Sequence, residues 1–110
     1  METLNIEKIK QLVNDGKLRW TNHIAMRLLQ RKINQEDVEY ALLNGEIIES
    51  YEDDYPYPSC LVLGLNKSNE YIHVVCGSNG MELWLITAYY PNQAEWEDDL
   101  KTRKENNENE

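Results

Sequence analysis

The sequence predicts a single α+β domain in which amino-terminal helices pack on a four-stranded antiparallel sheet. Up to Gly45 the apolar residues recur at the period of amphipathic helices, and beyond Gly45 they recur at the two-residue period of strands. Helices followed by strands are the order expected of a layer of helices over one sheet face. A chain of 110 residues has room for one such core.

Three helices are predicted before Gly45, each preceded by a polar residue able to accept hydrogen bonds from the first turn. The caps are Asn5, then Thr21 or Asn22, then Asn34, the last in a capping box with Asp37. The helices end near Gly16, Arg31 and Gly45. Between the first two helices, residues 18–20 are predicted to be extended.

Four strands follow, rich in β-branched and aromatic residues. They are predicted over residues 47–51, 60–65, 71–76 and 81–89. Their connections are short and rich in Asp, Asn, Ser, Gly and Pro, which favours antiparallel hairpins because a parallel crossover needs about a dozen residues or more. The apolar members of both layers predict a core of Ile24, Leu28, Val38, Leu42, Val62, Val74 and Ile86.

After the strands, Trp96 and Leu100 stand four residues apart among acidic residues and predict a short carboxy-terminal helix over 93–103. Residues 104–110 hold no apolar side chain to bury, so they are predicted to be a disordered acidic tail. The domain is therefore expected to span residues 1–103.

Charge is distributed unevenly along the chain. The formal net charge is −9, yet residues 16–35 hold 5 of the 11 basic residues and no Asp or Glu. There is no apolar run of about 18 residues and no basic-then-apolar amino terminus, so a cytoplasmic protein without membrane contact is expected.

No metal site is predicted. Cys60 and Cys76 lie in apolar strand-like runs without zinc-ligand spacing, and are interpreted as buried thiols. The acidic run Glu49, Glu52, Asp53 and Asp54 lacks the glycine and spacing of a calcium loop, and is interpreted as a solvated loop.

The second helix carries one polar stripe that could bind an anion. His23, Arg27 and Arg31 stand four residues apart, so they share one face. Guanidinium groups suit phosphate oxygens, and an imidazole can transfer protons near neutral pH. The alternative is a solvated helix face.

Two residues of the strands are further candidates. His73 shares a strand face with Tyr71 and Val75, and Tyr89 ends the last strand, where sites often form. The alternatives are a structural histidine satisfied by backbone or water, and a core or edge tyrosine.

Spaced blocks of sequence at residues 20–33, 37–51, 73–75 and 86–89 together resemble the bacterial domain-of-unknown-function family 4258. The family is similar to the small RelE-like, ribonuclease-fold toxins of toxin–antitoxin systems. Those proteins cleave RNA without a metal, through attack of the ribose 2′-hydroxyl on the neighbouring phosphate. The resemblance therefore implies a metal-independent endoribonuclease that needs no cofactor.

The same resemblance assigns roles. His23 and His73 would be acid and base, Arg27 and Arg31 would hold the phosphate, and Tyr89 would donate a hydrogen bond. The implied partners are mRNA and an antitoxin protein, and no DNA contact is expected.

The alternative function is a non-catalytic protein-interaction module. It is favoured by the acidity of the chain and by the exposed aromatic residues predicted at Tyr55, Tyr57 and Tyr90. Convergence of the histidines and arginines favours the enzyme, whereas His73 on the sheet face opposite the helix stripe favours the module.

Overall fold

A computed structural model describes residues 4–105. Its elements in chain order are α1 (Ile6–Asn14), β1 (Leu18–Trp20), α2 (Asn22–Arg31), α3 (Gln35–Asn44), β2 (Glu46–Tyr51), β3 (Ser59–Leu65), β4 (Tyr71–Ser78) and β5 (Leu83–Tyr89). The α+β class and the three helices are confirmed.

Local side-chain hydrogen bonds define the helix starts. The Asn5 side chain accepts from the backbone N–H of Lys8 at 2.8 Å, and Thr21 accepts from that of Ile24 at 3.2 Å. The Asn34 N–H donates to the Asp37 carboxylate at 3.2 Å. Each bond satisfies a polar group that the first helical turn leaves unpaired, so the predicted caps are confirmed.

The sheet has five strands in the order β1-β5-β4-β3-β2, and it is mixed. Strands β2 to β5 form the predicted antiparallel meander, but β1 pairs in parallel with β5. The prediction of four purely antiparallel strands was therefore wrong. A three-residue strand is too short to show a period, and its partner lies far away in sequence.

The predicted carboxy-terminal helix is also wrong, since residues 92–105 contain no helix. The Asn92 and Asp99 side chains accept hydrogen bonds from backbone N–H groups two residues onward, both at 2.9 Å, which is how such residues compete with helix formation. Leu100 has a left-handed φ of 60°, and a bridge joins Trp96 to Arg103. Residues 92–104, called the strap below, fold back on themselves as a loop.

The main core lies between the helices and the inner face of the sheet. Six of the seven predicted core residues are at most 3% exposed, namely Ile24, Leu28, Val38, Leu42, Val62 and Val74. Ile86 is 41% exposed, so its assignment to the core was wrong. Val75 pairs with Thr87 and Cys76 with Leu85, so Ile86 is the extra residue of a β-bulge and the alternation of faces breaks there.

Cys60 and Cys76 are free, buried thiols directly opposite each other on β3 and β4, with their sulfur atoms 3.9 Å apart. Among residues 4–105 there is no helix both long and apolar enough to cross a membrane. Most of the predicted disordered tail, residues 106–110, lies outside the described residues.

Candidate functional site

The outer face of the sheet, opposite the helices, carries a layer of its own. Ile72 and Val74 belong to the helix-side core, so His73 between them points to the outer face. Leu61 and Leu63 are likewise buried, at 1% and 4% exposure, but lie outside that core. Trp96 of the strap, 2% exposed, lies against this second layer.

His73 is the buried centre of the outer layer. Its Nε2 lies 2.8 Å from the Leu100 carbonyl oxygen, and because a carbonyl only accepts, Nε2 carries the hydrogen. Its Nδ1 is buried and has no hydrogen-bond partner among residues 4–105. Burial lowers the pKa of His73, so Nδ1 presents a free lone pair at neutral pH.

Two aromatic rings enclose that imidazole. Tyr89, its register partner on β5, lies edge-on with ring centroids 5.4 Å apart, and the Trp96 ring lies at 4.6 Å. Burial raises the pKa of Tyr89, although the charge of Arg103 acts in the opposite direction. The Tyr89 hydroxyl therefore keeps its proton at neutral pH.

A charged cluster borders this centre on the β2 side. Arg103 donates to the Glu49 carboxylate from Nε at 2.7 Å and from Nη2 at 3.1 Å, and the Tyr51 hydroxyl donates to the same carboxylate. The hydrogen bond from Arg103 lowers the pKa of Glu49, and burial raises the pKa of Tyr51 to about 12. The Arg103 guanidinium also lies 4.6 Å from the centroid of the Trp96 ring. It thus ties the strap to the sheet.

Arg31 reaches the same region from the helix layer. Its Nη1 donates to the Ala88 carbonyl at 2.8 Å and to Thr87 Oγ1 at 3.1 Å. Strand β1 pairs only with the first half of β5, which leaves the edge at Ala88 open to this contact. No carboxylate among residues 4–105 forms an ion pair with Arg31, so Nε and Nη2 remain able to bind an anion.

The predicted site residues divide into two groups. At the carboxyl end of β5, the Tyr89 ring lies against His73, and Arg31 contacts the two residues that precede Tyr89. His23 is exposed near the amino end of α2, about 12 Å along the helix axis from Arg31. Arg27 is also exposed and lies about 6 Å along the axis from Arg31. Because His73 faces away from the helices, the two histidines do not converge.

Sequence reasoning missed Glu49, Tyr51, Trp96 and Arg103 as parts of one cluster. Glu49 and Tyr51 share a strand parity, a signal that could have separated Glu49 from the acidic loop after it. Nothing local indicates that Arg103 pairs with Glu49, 54 residues away.

A family model described as "Domain of unknown function (DUF4258)" matches residues 20–90. The chain belongs to the DUF4258 family. No curated protein and no solved structure matches it. The DUF4258 region runs from the end of β1 to the residue after β5 and contains Arg31, Glu49, His73 and Tyr89, whereas the strap follows it.

Within residues 4–105, no three His, Cys, Asp or Glu side chains gather as metal ligands. The candidate site of this DUF4258 protein presents five ionisable or charged groups. They are a neutral imidazole, a protonated phenol, a paired carboxylate and two guanidinium groups.

Proposed function

We propose that this DUF4258 protein is a metal-independent endoribonuclease whose site lies on the outer sheet face at the carboxyl end of β5. The observation that carries the proposal is the buried, unpartnered Nδ1 of His73, next to Tyr89. A buried polar atom without a hydrogen-bond partner requires an explanation. A catalytic base needs a free lone pair to accept a proton, and this role accounts for the unpartnered Nδ1. The shifted pKa values of Glu49, Tyr51 and Tyr89 around it support the same location.

The reaction needs a base, an acid and positive charge. His73 Nδ1 takes the proton of a ribose 2′-hydroxyl, whose oxygen forms a bond to the neighbouring phosphorus. The bond from phosphorus to the 5′-oxygen breaks, and that oxygen takes a proton from the Tyr89 hydroxyl. The resulting Tyr89 phenolate then regains a proton from the His73 imidazolium through water. The products are a 2′,3′-cyclic phosphate and a free 5′-hydroxyl.

Arg31 holds the reacting phosphate. Its two contacts on β5 fix Nη1, and the planar guanidinium then directs Nε and Nη2 away from the strand. Arg27 and His23 continue the same helix stripe and contact the flanking nucleotides of the RNA. The expectation that His23 instead supplies the acid is tested by the experiment below.

Access of RNA to His73 requires the strap to move. The Leu100 carbonyl and the Trp96 ring cover the imidazole, which is 0% exposed. The end of the strap is held by two ion pairs, one between Lys101 and exposed Glu46 and one between Arg103 and the largely buried Glu49. An exposed pair such as that of Lys101 contributes only about 0–1 kcal/mol, so movement of the strap is opposed mainly by the Arg103–Glu49 contact and by the burial of Trp96.

The biological role that fits this chemistry is that of a toxin of a toxin–antitoxin system. Its substrate is mRNA, its location is the cytoplasm, and an antitoxin protein neutralises it. The acid-free segment 16–35, which includes the α2 stripe, supports RNA as the substrate on an otherwise acidic chain.

Controlled expression in a bacterial host tests the proposal through growth and RNA integrity. We expect growth arrest and RNA fragmentation for the native protein, and neither for His73→Gln or Tyr89→Phe. His23→Ala abolishes toxicity if His23 is the acid and only weakens it if His23 binds RNA. Tyr40→Phe is the matched control, since Tyr40 lies on α3, on the helix side of the sheet, and is 42% exposed.

Circular dichroism of each purified variant verifies folding. Growth arrest that survives both His73→Gln and Tyr89→Phe in folded protein contradicts the assignment of this site.

A second function, the non-catalytic protein-interaction module, is favoured by one specific observation. His73 lies on the sheet face opposite the helices and so apart from His23 and Arg27, while Tyr55, Tyr57 and Tyr90 are 91%, 41% and 41% exposed. An absence of both RNA fragmentation and growth arrest from the native chain would favour this module.

A further inference from the structure

An apolar groove lies on the outer sheet face, away from His73. The turn before β3 forms one wall with Tyr55, Pro56 and Tyr57, and the sheet forms the other with Trp84 and Ile86. The groove encloses about 300 Å³. Trp84 lies five residues before Tyr89 on β5, which is about 16 Å along the strand, so the groove is separate from the candidate ribonuclease site.

Stacked aromatic rings shape the groove. The Tyr57 and Trp84 rings are nearly parallel, at 22°, with centroids 5.3 Å apart. Gly77 is the register partner of Trp84 on β4 and presents no side chain between these walls. The groove is thus formed by rigid aromatic rings rather than by long flexible side chains.

The apolar walls are open to solvent in the described chain. Tyr55 is 91% exposed, and Ile86 and Tyr57 are each 41% exposed. Scattered exposed apolar residues need no explanation, but several large ones lining one concave surface mark a binding site.

The charge at the groove identifies the kind of ligand. Asp54 lines the groove, and Glu52 and Asp53 precede it in the same turn; neither Glu52 nor Asp53 forms an ion pair within residues 4–105. Asp54 accepts from the Ser59 hydroxyl at 2.6 Å, which fixes the turn. On the β1 side, Arg19 is paired with Glu82 at 3.3 Å, so its charge is offset. The rim is therefore negative, which disfavours phosphate groups and favours cations.

We infer that this groove binds an extended, basic peptide segment of a partner protein, with a proline or similar apolar side chain between Tyr55 and Trp84. Proline-rich segments are already extended before binding, and they dock in aromatic-lined grooves. A lysine or arginine of the segment then lies against Glu52 and Asp53. This inference does not depend on the proposed RNA cleavage.

Short synthetic peptides test the inference. We would titrate the native chain with a peptide of alternating proline and arginine, a peptide of proline and glutamate, and a peptide of glycine and arginine. Binding is followed by NMR at the indole N–H of Trp84 and by fluorescence anisotropy. We expect the proline–arginine peptide to bind most tightly and to shift the Trp84 signal, with weaker binding at high salt.

Variants separate the apolar contribution from the electrostatic one. Trp84→Ala should weaken binding more than about tenfold, as removal of a central aromatic anchor does. The double variant Glu52→Gln with Asp53→Asn leaves the aromatic walls of the groove intact, and because both positions are exposed it should fold like the native chain. It should nevertheless weaken binding about three- to tenfold at low salt. Tyr71→Ala is the control and should bind like the native chain, because this exposed tyrosine lies at the other end of the sheet.

Three results would overturn the inference. One is equal affinity of the proline–arginine and proline–glutamate peptides. Another is unchanged binding in the Glu52/Asp53 double variant, a result that remains decisive even if Trp84→Ala fails to fold. The third is a shift of the Trp84 signal by a single-stranded oligonucleotide but by none of the peptides, which would assign the groove to nucleic acid.

Discussion

At the residue scale, His73 keeps an uncharged imidazole inside the outer layer of the sheet. Its desolvation lowers the pKa, while the hydrogen bond from Nε2 to Leu100 and the charge of Glu49 partly oppose that shift. The positive charge of Arg103 on the strap lowers the pKa of His73 further, in the same direction as burial. The other two neighbours, Tyr89 and Trp96, are uncharged aromatic rings packed against the imidazole. The folded state therefore favours the neutral form of His73.

Stability should consequently fall as His73 is protonated. The pKa of His73 is lower in the folded state than in the unfolded state. The contribution of neutral His73 to the free energy of unfolding is therefore fully present above the ordinary histidine pKa of about 6.5, and it is lost as the pH falls through the lowered folded pKa. We expect the free energy of unfolding, measured with urea, to decline between about pH 7 and pH 5 in the native chain. His73→Gln should flatten this decline, and His23→Gln, at an exposed position, should not.

Glu49 does not produce the same signal. Its pKa is lowered, so its contribution is lost only below the ordinary glutamate range, as the pH falls through its folded pKa. An identical decline in the native chain and in His73→Gln would show that His73 is not held neutral by the fold.

At the element scale, α3 and β3 approach each other more closely than side chains would allow. A Cβ at Gly64 would lie 2.1 Å from the carbonyl oxygen of Ala41, an atom of the α3 backbone. Backbone cannot move aside as a flexible side chain can. Gly64 therefore fixes the distance between the helix layer and the sheet, and with it the position of the whole outer face.

Gly64→Ala should destabilise the protein by about 3 kcal/mol or more, since overpacking a well-filled core costs about 1–3 kcal/mol even where neighbours can yield. The urea unfolding midpoint measures this loss. Gly77→Ala is the comparison, because a Cβ there would meet its nearest atom, the Pro58 carbonyl oxygen, at 3.1 Å. A loss for Gly64→Ala no larger than that for Gly77→Ala would show that α3 can shift on the sheet.

The elements also show which features could be predicted from sequence. The helix caps at Asn5, Thr21 and Asn34 were predictable because each acts within three residues. The pairing of β1 with β5 was not, because it joins residues far apart in the chain. The position of Ile86 depended on a bulge that neither a two-residue period nor any local signal revealed.

The candidate site was predictable to the extent that it follows local patterns. His73, Tyr89 and Arg31 were found from strand parity and helix spacing, and they do lie at one end of β5. The partners Glu49 and Arg103 meet only through the fold of the strap, in which Asn92 and Asp99 replace the expected helix with turns.

At the scale of the whole molecule, the chain has two layers on its sheet with different roles. The helix side forms the main core, and the outer side combines the proposed ribonuclease site with the groove proposed to bind a peptide. The strap lies outside the DUF4258 region yet covers His73, so the proposed site becomes accessible only if the strap moves. Loosening its attachment at Arg103 should therefore expose the site.

The most direct test is cleavage of a short synthetic RNA by purified protein, beside the same oligonucleotide with a single 2′-deoxy substitution. The account predicts a 2′,3′-cyclic phosphate product from the RNA only, no effect of a chelator, a rate about 10² to 10⁴ lower for His73→Gln, and a rate for Arg103→Gln at least equal to that of the native chain. Cleavage of the 2′-deoxy position, loss of cleavage on adding chelator, or an undiminished rate in folded His73→Gln would contradict it.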